Sequence, residues 1–184
     1  MITTTLERIR SHGPCAEGWE KLLAHLGKTK ADDDPLPYAV IVESNGLDDA
    51  LWCCIAEPQH EKEWRLYAVW CARHVQHLMT DQRSIHALDA AERYANGNAT
   101  DKELTNARNA ARNAVRDVIG HVAWAAALAT SRAVSWSSTW APTWVVAGVA
   151  EQAAALAAVG DVTWAEARAA ERATQTEEFL RVVG

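Results

Sequence analysis

The chain has 184 residues, with 24 acidic against 18 basic side chains and a net charge of −6. It holds no basic tract, which disfavours nucleic acid and anionic membrane surfaces as partners. Charged residues make up 23% and apolar ones 49%, a balance that excludes disorder and suits a single domain over 1–184.

Taken in chain order, nearly every segment carries helical punctuation. Thr3, Thr4 and Thr5 can cap a short first helix bearing Leu6 and Ile9, which His12-Gly13-Pro14 ends. A second helix sets Trp19, Leu22, Leu23 and Leu26 on one apolar face and stops at Gly27. A polar loop over 28–34 follows, with the acidic run Asp32, Asp33 and Asp34. Val40-Ile41-Val42 has strand propensity, but 35–44 is read as a short helix because no partner strand is apparent in the chain. Another short helix over 47–56 ends at Glu57-Pro58. The clearest helix spans about 59–79, with Tyr67, Trp70, Cys71, His74, Val75 and Leu78 as an apolar stripe. Asp81 caps the next, whose Ile85, Leu88, Ala91 and Ala95 face inward until Asn96-Gly97. Thr100 and Glu103 form a capping box opening the longest helix, through Ala107, Val115, Val118, Val122 and Leu128. Residues 135–142 interrupt it. A helix over about 143–159 stops at Gly160, and Asp161 caps the last, which carries Ala165, Ala169, Ala173, Phe179 and Leu180. The expected fold is all-α: an irregular bundle of about eight helices with an alanine-rich C-terminal half.

The two halves differ in character. Residues 1–98 carry 15 acidic and 10 basic groups; 99–184 carry 9 and 8. From 107 to 173, 23 of 67 residues are alanine, and Trp124, Trp136, Trp140, Trp144 and Trp164 lie in or beside that stretch. Alanine favours helix but fills little space, so such helices are expected to pack with their backbones close. Trp124 and Trp164 are expected to fill gaps between small residues. Trp136, Trp140 and Trp144 recur every four residues and make either a core seam or an exposed anchor for a partner.

Chemistry-bearing side chains are sparse. Cys71, His74 and His77 share one helix, but His77 is rotated away and no fourth ligand has zinc-site spacing, so Cys71 and His74 are read as core. As a nucleophile and base they lack an orienting acid. No metal or cofactor is expected. Asp48 and Asp49 diverge on a helix and suit its first turn. Arg108, Arg112 and Arg116 form a one-sided ridge beside Asn106, Asn109 and Asn113. That ridge is either a solvated face or a grip for an acidic protein surface, with phosphates a third choice. Cys15, Cys53, Cys54 and Cys71 have no C-x-x-C spacing. Reduced thiols in a cytoplasmic protein are therefore expected. The opening Met-Ile-Thr-Thr-Thr-Leu-Glu-Arg shows no secretory signal pattern, and the apolar stretches are interrupted too soon to span a bilayer.

The block from Ser44 to Leu104 carries Ser44-Asn45-Gly46-Leu47-Asp48-Asp49-Ala50-Leu51-Trp52-Cys53, then Arg65-Leu66-Tyr67-Ala68-Val69-Trp70-Cys71-Ala72-Arg73 and Ala87-Leu88-Asp89-Ala90-Ala91-Glu92-Arg93-Tyr94. It resembles a family of uncharacterised all-helical proteins borne by phages, prophages and bacterial genomes. More loosely, it is similar to immunity proteins of bacterial toxin systems. The resemblance implies a cytoplasmic protein of phage–host or bacterial conflict, and it supplies no catalytic residue. The expected function is a non-enzymatic inhibitor, an immunity or anti-defence factor that occupies the surface of a host, defence-system or toxin protein. Trp136, Trp140, Trp144, Arg108, Arg112, Arg116, Asp32, Asp33 and Asp34 are the candidate contact residues. The acidic half would suit a basic surface such as a nuclease channel. A self-assembling structural protein, or a homodimer, is the alternative, and a Cys71/His74 enzyme comes third.

Overall fold

The computed structural model describes residues 1–135, 143–158 and 161–184, with the Trp144 side chain left undescribed. Trp136 and Trp140 of the expected tryptophan ridge, with Pro142 and Gly160, lie outside those residues. Among the described residues there are ten α-helices and one two-residue strand pair, which makes the chain all-α.

The strands were not foreseen. β1 (Thr3–Thr4) pairs antiparallel with β2 (Leu36–Pro37), Thr3 opposite Pro37 and Thr4 opposite Leu36. Thr5 is left as the cap of α1 (Leu6–Ser11), accepting the Arg8 N–H. α2 (Ala16–His25) buries Leu22. The Val40-Ile41-Val42 segment is helical, as expected, within α3 (Tyr38–Asn45), and α4 (Leu47–Cys53) follows across Gly46 at φ +92°. Only glycine adopts that angle without strain.

The helix expected over 59–79 is shorter. 3-10 turns occupy Pro58–His60 and Gln76–Leu78, and α5 is Glu61–His74. α6 (Gln82–Ala95) is capped by Asp81. α7 (Asp101–Asp117) opens with the expected capping box, Thr100 accepting the Glu103 N–H and Glu103 accepting the Thr100 N–H. It does not run on to Leu128. Gly120 takes φ +102° and starts a separate helix, α8 (His121–Val134). α9 is Thr143–Ala157, and α10 (Trp164–Val183) is the longest. Thr163, not Asp161, caps α10, because only Thr163 has a glutamate at the third helical position, Glu166, to close a box.

Alanine packs as anticipated. Ala125, Ala126, Ala129 and Ala133 of α8, with Ala147, Ala150 and Ala153 of α9, are fully buried in one core. Side chains this small let helix backbones approach, and dispersion between close backbones then does much of the holding. The tryptophans do not fill the gaps, however: Trp124 and Trp164 are each 40% exposed. The core's largest side chains are aromatic residues from elsewhere in the chain. Tyr38, Trp64, Tyr67 and Phe179 are all buried, with Phe179 in edge contact with both tyrosines.

α10 also turns a different face inward. Glu171, Gln175, Phe179 and Val183 are buried at four-residue spacing, whereas Ala165, Ala169, Ala173 and Leu180 are exposed. Gln175 donates to the Ala147 carbonyl and Arg168 to Glu151, so α9 and α10 run antiparallel. The Ile2 N–H donates to the Val183 carbonyl at 2.7 Å and ties the two ends of the chain together.

Candidate functional site

α7 carries the arginine ridge. Residues four apart on a helix lie about 6 Å apart along its axis, so Arg108, Arg112 and Arg116 form one row. Arg108 is half-buried, and its Nε is buried without a partner. Arg112 and Arg116 are exposed and make no ion pair or hydrogen bond among the described residues. Asp117, the nearest acid along the chain, is already held by Arg83 at 2.7 Å. The ridge therefore keeps its charge.

The row leads into the 118–120 corner, where apolar side chains face water. Ile119 is 94% exposed. Trp124, with Val118, Gly120 and His121, lines a surface hollow of about 370 Å³. α7 ends at Asp117, Val118 is extended, and Gly120 at φ +102° turns the chain into α8, with Ile119 left exposed between them. Leaving Ile119 and Trp124 exposed, a few residues along the chain from the unpaired arginines, costs solvation that a partner would recover. Arg and Trp are also the residue types that dominate binding hot spots. The sequence pointed to the ridge but not to the corner, because Gly120 within a helical pattern reads as a tolerated interruption.

The acidic loop is largely spoken for. Lys28 Nζ sits 2.6 Å from Asp32 and 2.9 Å from Asp34, and the Asp32 carbonyl accepts the Glu7 N–H. The Lys28 ammonium holds the Asp32 carboxyl below its usual range, and the two carboxylates raise Lys28. Asp33 is exposed and takes no part in these bonds. The loop serves first to fasten β2 beside α1.

Cys71 and His74 sit in different surroundings. Cys71 is fully buried, and burial pushes its thiol well above the usual range, which holds it neutral. His74 lies outside the core, against expectation: its ring stacks on Trp70 and its Nδ1 is 2.7 Å from Glu171 Oε2. No group of three or more metal-ligating residues is assembled among the described residues.

That contact opens a polar network which no sequence spacing announced. Glu171 Oε1 accepts from Gln175 Nε2 at 3.0 Å, and the Gln175 carbonyl accepts the Tyr67 hydroxyl. Arg172 reaches Glu151 of α9 and grips Asp48 of α4 at 2.7 and 2.9 Å. Asp48 thus contacts α10 from the first turn of α4, across 124 residues of chain. No protein-family model, curated protein or solved structure matches this chain. No described helix is long and apolar enough to cross a membrane.

The thiols offer a direct check on this arrangement. Cys15 is exposed, whereas Cys53, Cys54 and Cys71 are buried, and burial raises the Cys53 thiol to about 12. Titration of the native protein with an aromatic disulfide reagent is expected to show one fast thiol, with the other three appearing only on unfolding. A second fast thiol would contradict the packing of α4 and α5.

Proposed function

We propose that the protein is a non-enzymatic binding protein that acts by occupying an acidic surface on a partner protein, as an immunity or anti-defence factor of phage or bacterial origin does. The observation that carries this is the unpaired ridge of Arg112 and Arg116 running into the exposed Ile119 and Trp124. Charge of one sign steers the encounter, and a desolvated aromatic beside it supplies the affinity. The acidic loop, two of whose three carboxylates are engaged by Lys28, is a weaker candidate than the arginine ridge.

The test is capture from lysate of the protein's own host, comparing the native chain with an Arg112→Glu/Arg116→Glu/Trp124→Ala variant of unchanged Tm. A stoichiometric acidic protein should be held by the native chain and lost by the variant. Losing a hot-spot tryptophan alone weakens binding by roughly 2 kcal/mol, about thirtyfold. Recovery of no stoichiometric partner, or equal recovery by both chains, would sink the proposal. The same exposed apolar side chains favour self-assembly as the second reading, which sedimentation as a monomer at micromolar concentration removes.

A further inference from the structure

A cavity of about 420 Å³ opens between α1, α2, α3 and α4, distant in sequence from the arginine ridge. Its floor is buried and apolar, made by Ile9, Leu22, Ile41 and Cys53, and Trp19 and Trp52 line it as half-buried walls. Among the described residues, the charged side chains on it are Asp48 and Asp49. Asp48 is committed to Arg172 through both carboxylate oxygens. Asp49 is not paired with any cation among the described residues.

The Asp49 carboxylate is held in place by neutral groups. Ser44 Oγ donates to Asn45 Oδ1 at 2.6 Å, which fixes the orientation of that amide. Asn45 Nδ2 then donates both to the Gly18 carbonyl at 2.8 Å and to Asp49 Oδ2 at 2.7 Å. Gly18 completes the cradle. A Cβ there would lie 2.7 Å from Asp49 Oδ2 and 3.1 Å from Cys15 Sγ, so the carboxylate occupies space that any other residue would take. Asp49 Oδ1 accepts no hydrogen bond from the described residues, and Asp49 lines the same cavity as the two indoles.

We propose that this cavity binds a small organic cation, an ammonium or guanidinium group carried on an apolar body. The carboxylate supplies a full opposite charge in a partly desolvated site, where a charge-assisted hydrogen bond is at its strongest. Tryptophan faces attract cations through the ring quadrupole, and the apolar floor takes the body of the ligand. A neutral ligand of the same shape would leave Asp49 unsatisfied, and an anion would meet it head on. The acceptor is positioned before the ligand arrives, so little ordering is lost on binding.

Calorimetric titration with 2-phenylethylamine, 2-phenylethanol and 3-phenylpropanoate tests this on the full chain. The amine should bind, the alcohol at least about tenfold more weakly, and the anion not measurably, since one well-made charge contact is worth roughly a factor of ten or more. Asp49→Asn should cut amine affinity about tenfold and leave the alcohol unchanged. Gly18→Ala, which favours helix yet displaces the carboxylate, should do the same. Failure of the amine to bind at about 10 mM, equal binding of alcohol and amine, or indifference to Asp49→Asn would each overturn the proposal. The comparison of ligands on the native chain needs no variant, so it stands even where a variant misfolds.

Discussion

Replacing Phe179 by alanine is expected to destabilise the fold by about 3–5 kcal/mol, the usual cost of deleting a buried aromatic ring. Phe179 is the one phenylalanine of the chain and is fully buried. Its ring centroid lies 5.4 Å from that of Tyr67, 5.9 Å from Tyr38 and 6.2 Å from Trp64. These partners sit on α3 and α5, so one ring pins the end of α10 to two earlier helices. The neighbours are themselves held: Tyr38 donates to the Cys53 carbonyl, Tyr67 to the Gln175 carbonyl and Trp64 to the Glu57 carbonyl. They cannot collapse into the space without giving up those bonds, which places the cost toward the upper part of the range. Phe179→Leu keeps most of the volume and should cost less than half as much. Urea unfolding at constant m-value measures both. A loss below about 1 kcal/mol for the alanine variant would mean that the aromatic cluster is not the main core. Against a typical total of about 5–15 kcal/mol, the expected loss is large.

Phe179 also shows what was legible in the sequence and what was not. Helix positions were largely readable, because their signals are local: Asp81, the Thr100 box and the glycine stops all act within one turn. Thr163 was readable too, since its Glu166 partner is three residues away, but Asp161 offered a competing cap. Gly120 was harder, because a single glycine bends some helices and ends others, and φ +102° depends on where α8 must pack. The inward face of α10 was not legible, for a deeper reason. Hydrophobic periodicity places alanine inside and Glu or Gln outside, yet Glu171 and Gln175 are buried because α5 and α9 supply their partners. Those partners lie 97 and 28 residues away, and no spacing rule spans that distance. The same holds for Asp48 and Arg172, and for the cavity that Asp49 enters. Of the candidate contact residues, Arg108, Arg112 and Arg116 were legible as a row, because their four-residue spacing falls within one helix.

The buried glutamate of α9 gives the second large effect. Glu151 lies within an alanine-rich helix with its side chain only 4% exposed, between Arg168 Nε at 2.6 Å from Oε1 and Arg172 at 3.2 Å from Oε2. The Arg172–Asp48 pair contributes little of itself, since Asp48 is 65% exposed and water screens it. Glu151 is different, because taking a carboxylate out of water is costly unless cations answer it. An Arg168→Met/Arg172→Met chain keeps the aliphatic stems but removes both charges, and it is expected to lose about 3–5 kcal/mol. Adding Glu151→Leu should then restore most of that loss, since an apolar residue suits the alanine surroundings and no charge remains to be answered. Thermal and urea unfolding of the double and triple variants measure the difference. A triple variant no more stable than the double would show that the arginines act by packing α10 onto α9, and not by answering the charge. The expected rescue separates the two roles because it restores no contact that the arginines made.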